Sequence, residues 1–247
     1  MSKYRVGLIA EGKTDIYLIE SILICNFPRD KFVFQQLSPT EGELSTGRKV
    51  EGFGWRSVYA ICRELPTRLE MLRACGQALD LLVIHLDGDV AYSTYRQANI
   101  ETDKCDLPCA EIKDPVEVAG TKLQRILVGH WLESVDLIKY GIVLCLPFIN
   151  MEAWVGYFAY PEYRQELGEE STEKEVYRWL LMAGNKKANK GKQLLRQKDG
   201  RVRKITQNYQ RVADTIALED WEALKASYVQ AKRFALQLSE WDIRIND

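Results

Sequence analysis

The sequence predicts an α/β protein built on a parallel sheet, and three observations predict it. LDLLVIHLD (79–87) and GIVLCLPFI (141–149) are apolar runs of strand length with no polar face, as strands covered on both sides require. A shorter apolar strand, YRVGLIA (4–10), opens the chain. Between these strands lie segments that are apolar at helical spacing, and such alternation gives a parallel sheet flanked by helices.

Taken in order, YRVGLIA leads into TDIYLIESILICNF (14–27), a helix that Thr14 or Asp15 could cap. KFVFQQL (31–37) reads as a second strand. SPTEGELSTGRKVEGFGW (38–55) carries four glycines and alternating charges, which suggests an exposed loop, with Gly52 to Trp55 either substrate-facing or a hinge. RSVYAICREL and TRLEMLRACGQAL read as helices interrupted at Pro66. The strand 79–87 follows, then polar sequence to about 114, then a helix over roughly 116–138. The strand 141–149 runs into NMEAWVGYFA. Beyond about 160 only helical stretches are expected, with a basic loop at 185–204 between them. The expected division is a catalytic domain over 1–158 and a mainly helical C-terminal segment over 159–247.

Composition narrows the function classes without choosing one. The 247 residues are 46% hydrophobic and 28% charged, an ordinary globular balance. The 34 basic and 35 acidic residues give no strong global field, so affinity for a polyanion must come from local clustering. No apolar run reaches the roughly 18–20 residues of a membrane span, and the first residues lack a secretory pattern. The six scattered cysteines read as free thiols of a reduced, cytoplasmic protein, Cys105 and Cys109 included.

GLIAEGKTD (7–15) carries two readings. From Gly7 it fits G-x-x-x-x-G-K-[ST], the phosphate loop of nucleotide hydrolases, with Lys13 as the nucleotide clamp. Leu8, Ile9 and Ala10 look like strand rather than loop, however, which disfavours that reading. From Glu11 it is a strand end carrying an acid, with Asp15 one turn into the next helix. The strand 79–87 ends in Asp87-Gly88-Asp89, and alternation along extended chain would aim both carboxylates at one point. Glu152, a few residues past the last strand, could reach the same edge. Ligands of open α/β sheets gather at the carboxyl ends of the strands. Carboxylates crowded there repel one another, and a divalent cation with oxygen ligands removes the conflict.

Glu11-Gly12-x-x-Asp15 after a first strand, with Asp87-x-Asp89 after a later one, resembles the TOPRIM fold. That domain is shared by type IA and type II topoisomerases, bacterial primases, small ribosomal-RNA maturases and the overcoming-lysogenization-defect nucleases. The spacing of Glu11 and Asp15 is most similar to the last group, and the resemblance spans residues 4 to about 155. A further resemblance is to small stand-alone TOPRIM-like bacterial proteins, through Asp106-Leu107-Pro108-Cys109 and the stretch Pro147 to Trp154. The resemblance implies Mg²⁺ or Mn²⁺ held by Glu11, Asp87 and Asp89, with Asp15 and Glu152 completing the set. It implies a metal-dependent nuclease and, in the manner of such proteins, an ATPase partner in bacterial defence against phage. A lysine contacting the phosphoryl group is expected, from Lys186, Lys187, Lys190, Lys192 or Lys13.

Residues 185–204 hold nine Lys and Arg against one Asp, the footprint of a phosphate-backbone contact or simply a solvated loop. The expected nucleic-acid contacts are Lys186, Lys187, Lys190, Lys192, Arg196, Arg201, Arg203 and Lys204. His85 shares the face of Asp87 and reads first as a buried, hydrogen-bonded histidine; His130, beside Trp131, reads as packing. The alternatives to a nuclease are a non-catalytic nucleic-acid-binding or regulatory subunit and the nucleotide hydrolase of the first motif. No membrane contact is expected, and a homo-oligomer is left open.

Overall fold

The computed structural model describes residues 3–27, 31–38, 42–43, 49–50, 54–133, 135–148 and 150–246. Strand β1 (Tyr4–Ile9) passes through helix α1 (Lys13–Asn26) to β2 (Phe32–Ser38). In the region expected as an exposed loop, β3 (Gly42–Glu43) and β4 (Lys49–Val50) pair antiparallel; Gly52 and Phe53 lie outside the described residues. Helix α2 (Trp55–Ala74) leads to β5 (Leu81–His85), two 3₁₀ turns, α3 (Val116–Ile126) and β6 (Ile142–Cys145). Helices α4 (Met151–Ala159), α5 (Tyr163–Glu166) and α6 (Glu173–Asn185) precede a hairpin of β7 (Leu195–Lys198) and β8 (Arg201–Lys204). Helices α7 (Thr206–Ala213), α8 (Leu218–Ser227) and α9 (Val229–Asn246) complete the described chain.

The main sheet is parallel, in the order β2-β1-β5-β6. Alternate residues of its strands feed two cores. Val6, Leu8, Leu81, Val83, Val143 and Cys145 join the core formed with α1, α4 and the C-terminal helices. Ile9, Leu82, Ile84, Ile142 and Leu144 join the core formed with α2 and α3. The helices beyond residue 159 therefore share an apolar core with the sheet: Leu180, Trp221, Phe234 and Trp241 are buried in one cluster with Val6 and Leu18. The chain leaves β1 through α1 on one face toward β2, and leaves β5 through α3 on the other face toward β6. The crevice between the ends of β1 and β5 is thus a topological switch point, where open sheets place their ligands.

Three local expectations change, and the strand reading of Gly7 holds. Gly7 lies inside β1, where an added Cβ would meet the side chains of Leu79 and Leu82, so 7–14 forms no phosphate-cradling loop. Helix α1 is preceded by Gly12, with Thr14 and Asp15 inside its first turn rather than capping it. Helix α2 runs unbroken through Pro66, because packing of Cys62, Leu65 and Leu69 outweighs one missing N–H. Helix α3 ends earlier than expected and passes at Leu127–Trp131 into a π-helical turn.

Gly141, which introduces β6, shows where the backbone itself constrains sequence. Its φ is +58°, and an added Cβ would lie 2.4 Å from the carbonyl oxygen of Asp80. Gly141→Ala is expected to cost about 2 kcal/mol or more, read as a lower urea midpoint at unchanged slope. An unchanged midpoint would mean that the loop relaxes freely.

Candidate functional site

The acids expected at the carboxyl edge come together there. Glu11 follows β1, and its carbonyl accepts from the Gly54 N–H that opens α2, at 2.9 Å. Its carboxylate Oε1 accepts from the Asp87 N–H at 2.8 Å, tying the end of β1 to the end of β5. Asp87 Oδ1 in turn accepts from Met151 N–H, at 3.0 Å, at the N-terminus of α4. There the helix dipole favours negative charge. Asp15 and Glu152 lie deeper, at 2% and 0% exposure. Gly12 has extended backbone, so its constraint is room: a Cβ would sit 3.2 Å from Asp15 Oδ2.

Asp87 and Asp89 do not alternate along a strand. Asp87 is the last extended residue, and Asp89 is in the first turn of the 3₁₀ segment Gly88–Tyr92. The tight turn replaces extension because Gly88 N–H bonds the carbonyl of Pro147 at 2.8 Å. Asp89 is still close enough for the Asp87 charge to act on it. Its pKa is raised to about 7, by burial first, then by Asp87 and Glu173. Glu11 is pushed well up by burial and by Asp87. Glu152 is raised by burial, against the pull of the Lys204 charge.

Lys204 supplies the cation. Its Nζ lies 2.5 Å from Glu152 Oε1 and 3.6 Å from Asp15 Oδ1. Burial would lower its pKa, but the charges of Glu152, Asp15 and Asp87 drive it well above the ordinary value. Tyr209 on α7 donates to Glu152 Oε1 at 3.2 Å. His85 is fully buried, with Nε2 3.3 Å from Asp87 Oδ1 and Nδ1 3.9 Å from Asp15 Oδ2. Neither ring nitrogen makes a well-directed hydrogen bond, and Glu152 Oε2 is also without a partner. Burial pulls the His85 pKa down, but the Asp87 contact and the charges of Asp15 and Asp87 outweigh it, and the net shift is upward.

The hairpin explains which basic residue enters. Opposite residues on the two strands are Leu195 with Lys204, Arg196 with Arg203, Gln197 with Val202, and Lys198 with Arg201. Side chains two apart on a strand share a face. Arg196, Lys198, Arg201 and Arg203 therefore form one exposed basic face, and Lys204 points oppositely, toward the acids. Like charges directly opposite one another weaken a two-stranded ribbon, so this face suits an anionic partner. Lys186, Lys187, Lys190 and Lys192 are exposed on the connection between α6 and β7, with no ion pair to the acids among the described residues. Lys13 is exposed at the start of α1, with no ion pair to the acids among the described residues. His130, expected as packing, is half exposed, and its Nδ1 meets Asp106, which also accepts from Tyr95 at 2.7 Å.

The donors are hard carboxylate oxygens in excess over a single partly buried lysine, a chemistry that suits a divalent cation. Among the described residues, however, no group of three or more histidine, cysteine or acidic side chains is arranged so that it could hold a metal ion. The cysteines are free thiols, and no helix among the described residues is long and apolar enough to cross a membrane. No protein-family model, curated protein or solved structure matches the chain.

Proposed function

We propose that this chain is a TOPRIM-like, metal-dependent nuclease that hydrolyses phosphodiester bonds of nucleic acid. The observation that carries the reading is the convergence of Glu11, Asp15, Asp87, Asp89 and Glu152 on the switch-point edge, with Lys204 among them. Crowded, half-neutralised carboxylates at a ligand-binding edge suit a cation and a phosphate better than they suit a core. Glu11, Asp87 and Asp89, joined by Asp15 and Glu152, would hold Mg²⁺ or Mn²⁺. When bound, such an ion activates water and neutralises the leaving oxygen.

The chain's own groups have separable tasks. Glu11 and Asp87 fix the two strand ends through their backbone hydrogen bonds, which sets the spacing of the acids. His85, whose ring nitrogens lie 3.9 Å from Asp15 and 3.3 Å from Asp87, would offset their charge when protonated. Lys204 is the lysine positioned to meet a phosphoryl oxygen, a role sequence reasoning gave to Lys186, Lys187, Lys190, Lys192 or Lys13. The basic face of the hairpin would hold the backbone of the same strand by phosphate contacts. A phage-defence role beside an ATPase rests on the family resemblance alone.

The Lys204 ion pairs favour a second reading, a nucleic-acid-binding subunit in which the lysine replaces a metal altogether. A cleavage assay over single- and double-stranded DNA, tRNA and other RNA, with Mg²⁺ and with Mn²⁺, separates the two. The nuclease reading expects cutting that chelation stops and that Glu11→Ala and Asp87→Ala reduce about a thousandfold. Nucleic acid bound but never cut, equally by wild type and both variants, leaves the binding subunit.

A further inference from the structure

Helix α6 carries two stripes. Val176, Leu180, Ala183 and Gly184 face the core. Lys174, Tyr177, Arg178, Leu181 and Met182, at i, i+3, i+4, i+7 and i+8, line an open groove of about 650 Å³ whose far wall is Val202 of β8. That volume is within the ~300–1,000 Å³ of small-molecule sites. The surface is apolar where a core residue would be covered: Met182 is 64% exposed and Val202 39%. Its rim is cationic, since Lys174 and Arg178 make no ion pair among the described residues. Glu173, the single acid in the lining, acts on Asp89.

The groove opens beside the acids. Val202 and Lys204 share one face of β8, two residues and ~7 Å apart. Tyr177 lies within electrostatic reach of Glu152, Lys204 and Asp87. A ligand seated here would put a flat apolar part against Tyr177, Leu181, Met182 and Val202, and an anionic part toward Lys174, Arg178 and Lys204. An unpaired nucleobase with its phosphate has that shape and charge. Aromatic and apolar walls edged by cations are how sequence-tolerant single-strand sites are built. A paired base, stacked within a duplex, could not enter.

We propose that the groove between α6 and β8 is a nucleobase subsite, so that the strand presented to the acids is single-stranded. This rests on the nuclease reading for its orientation, but its test does not require cleavage. Fluorescence anisotropy in EDTA would compare a labelled 15-nucleotide thymidine strand, its RNA counterpart, the same DNA length with abasic sites at its centre, and a duplex. The expected result is single-strand binding roughly tenfold tighter than abasic or duplex binding. Tyr177→Ala and Met182→Ser should each lose most of that margin, and Tyr177→Phe, which keeps the ring, should retain it. Met182→Ser, at an exposed position, should melt as the wild type does, while Tyr177→Ala, which also loses core packing, is measured well below its own melting temperature. A preference for DNA over RNA, or the reverse, leaves the subsite standing and names its strand. Equal affinity for base-bearing and abasic strands, tighter duplex binding, no binding at all, or unchanged affinity in Tyr177→Ala and Met182→Ser overturns it. Cleavage of abasic and base-bearing strands at equal rates would sink the subsite and leave the nuclease. The binding pattern without cleavage would do the reverse.

Discussion

Replacing Lys204 by Met is expected to destabilise the protein by about 3 kcal/mol, the largest loss from any single polar substitution at the site. The change leaves Glu152, at 0% exposure, and Asp15, at 2%, without their shared cation. Removing one partner of a buried ion pair costs about 3–5 kcal/mol, because the remaining charge stays buried and uncompensated. The lower end applies, since a third of the lysine side chain is exposed. The check is urea unfolding in EDTA, where the midpoint should fall with the slope unchanged. Adding Glu152→Gln to Lys204→Met should recover much of the loss, because a neutral amide has less to lose on burial. Coupling of that size is expected for residues in one network. Under the proposed metal role, Mg²⁺ should raise the midpoint of Lys204→Met more than that of the wild type, because the ligand replaces the missing charge. A variant as stable as the wild type would mean that water already compensates Glu152, and the buried-network account would fail.

The acid edge was legible in the sequence because its signals are local. LLVIH is apolar on both faces, which marks a covered strand, and Asp87 stands two residues beyond it. Glu11 stands at the same distance beyond Ile9, the last residue of β1. Residues at the ends of adjacent parallel strands must lie near one another, whatever the loops do. Lys204 was less legible, because its position depends on pairing. Nine basic residues in 185–204 mask the alternation that marks a strand, and reading by hydrophobicity alone gives a loop. The missed signal is Asp199-Gly200, both with positive φ, the two-residue turn that hairpins favour. With that turn placed, register alone separates Lys204 from Arg201 and Arg203. His85 was placed on the right face, but its lack of a directed hydrogen bond is a tertiary fact with no sequence signature. The same holds for Tyr209, which arrives from α7 more than fifty residues beyond Glu152. The 3₁₀ turn at Asp89 was one of two readings the sequence left open, because Asp-Gly-Asp fits a strand end and a tight turn equally well.

In the absence of metal the protein should grow less stable as pH rises from about 4 to 8. Asp89 titrates at about 7 in the fold against an ordinary 3.8, chiefly through burial. Between those values the folded chain holds a proton that the unfolded chain has released, so raising the pH favours unfolding. Glu11 and Glu152 are shifted in the same direction and add to the slope. His85, raised by its carboxylate neighbours despite burial, stabilises fully below its unfolded value of 6.5 and loses that contribution as pH rises through its folded value. Lys204 does not oppose them, since its raised pKa matters only above 10.5. Melting temperatures in EDTA across pH 5–8 should therefore fall, and Asp89→Asn should flatten the curve most clearly between pH 5 and about 7, where the folded wild type holds the extra proton. A divalent cation, by favouring the ionised acids, should reduce the fall in the wild type more than in the variant. A melting temperature that climbs with pH would show that the carboxylates are already compensated as anions. The edge would then be an ion-paired structural element rather than a site held ready for a cation.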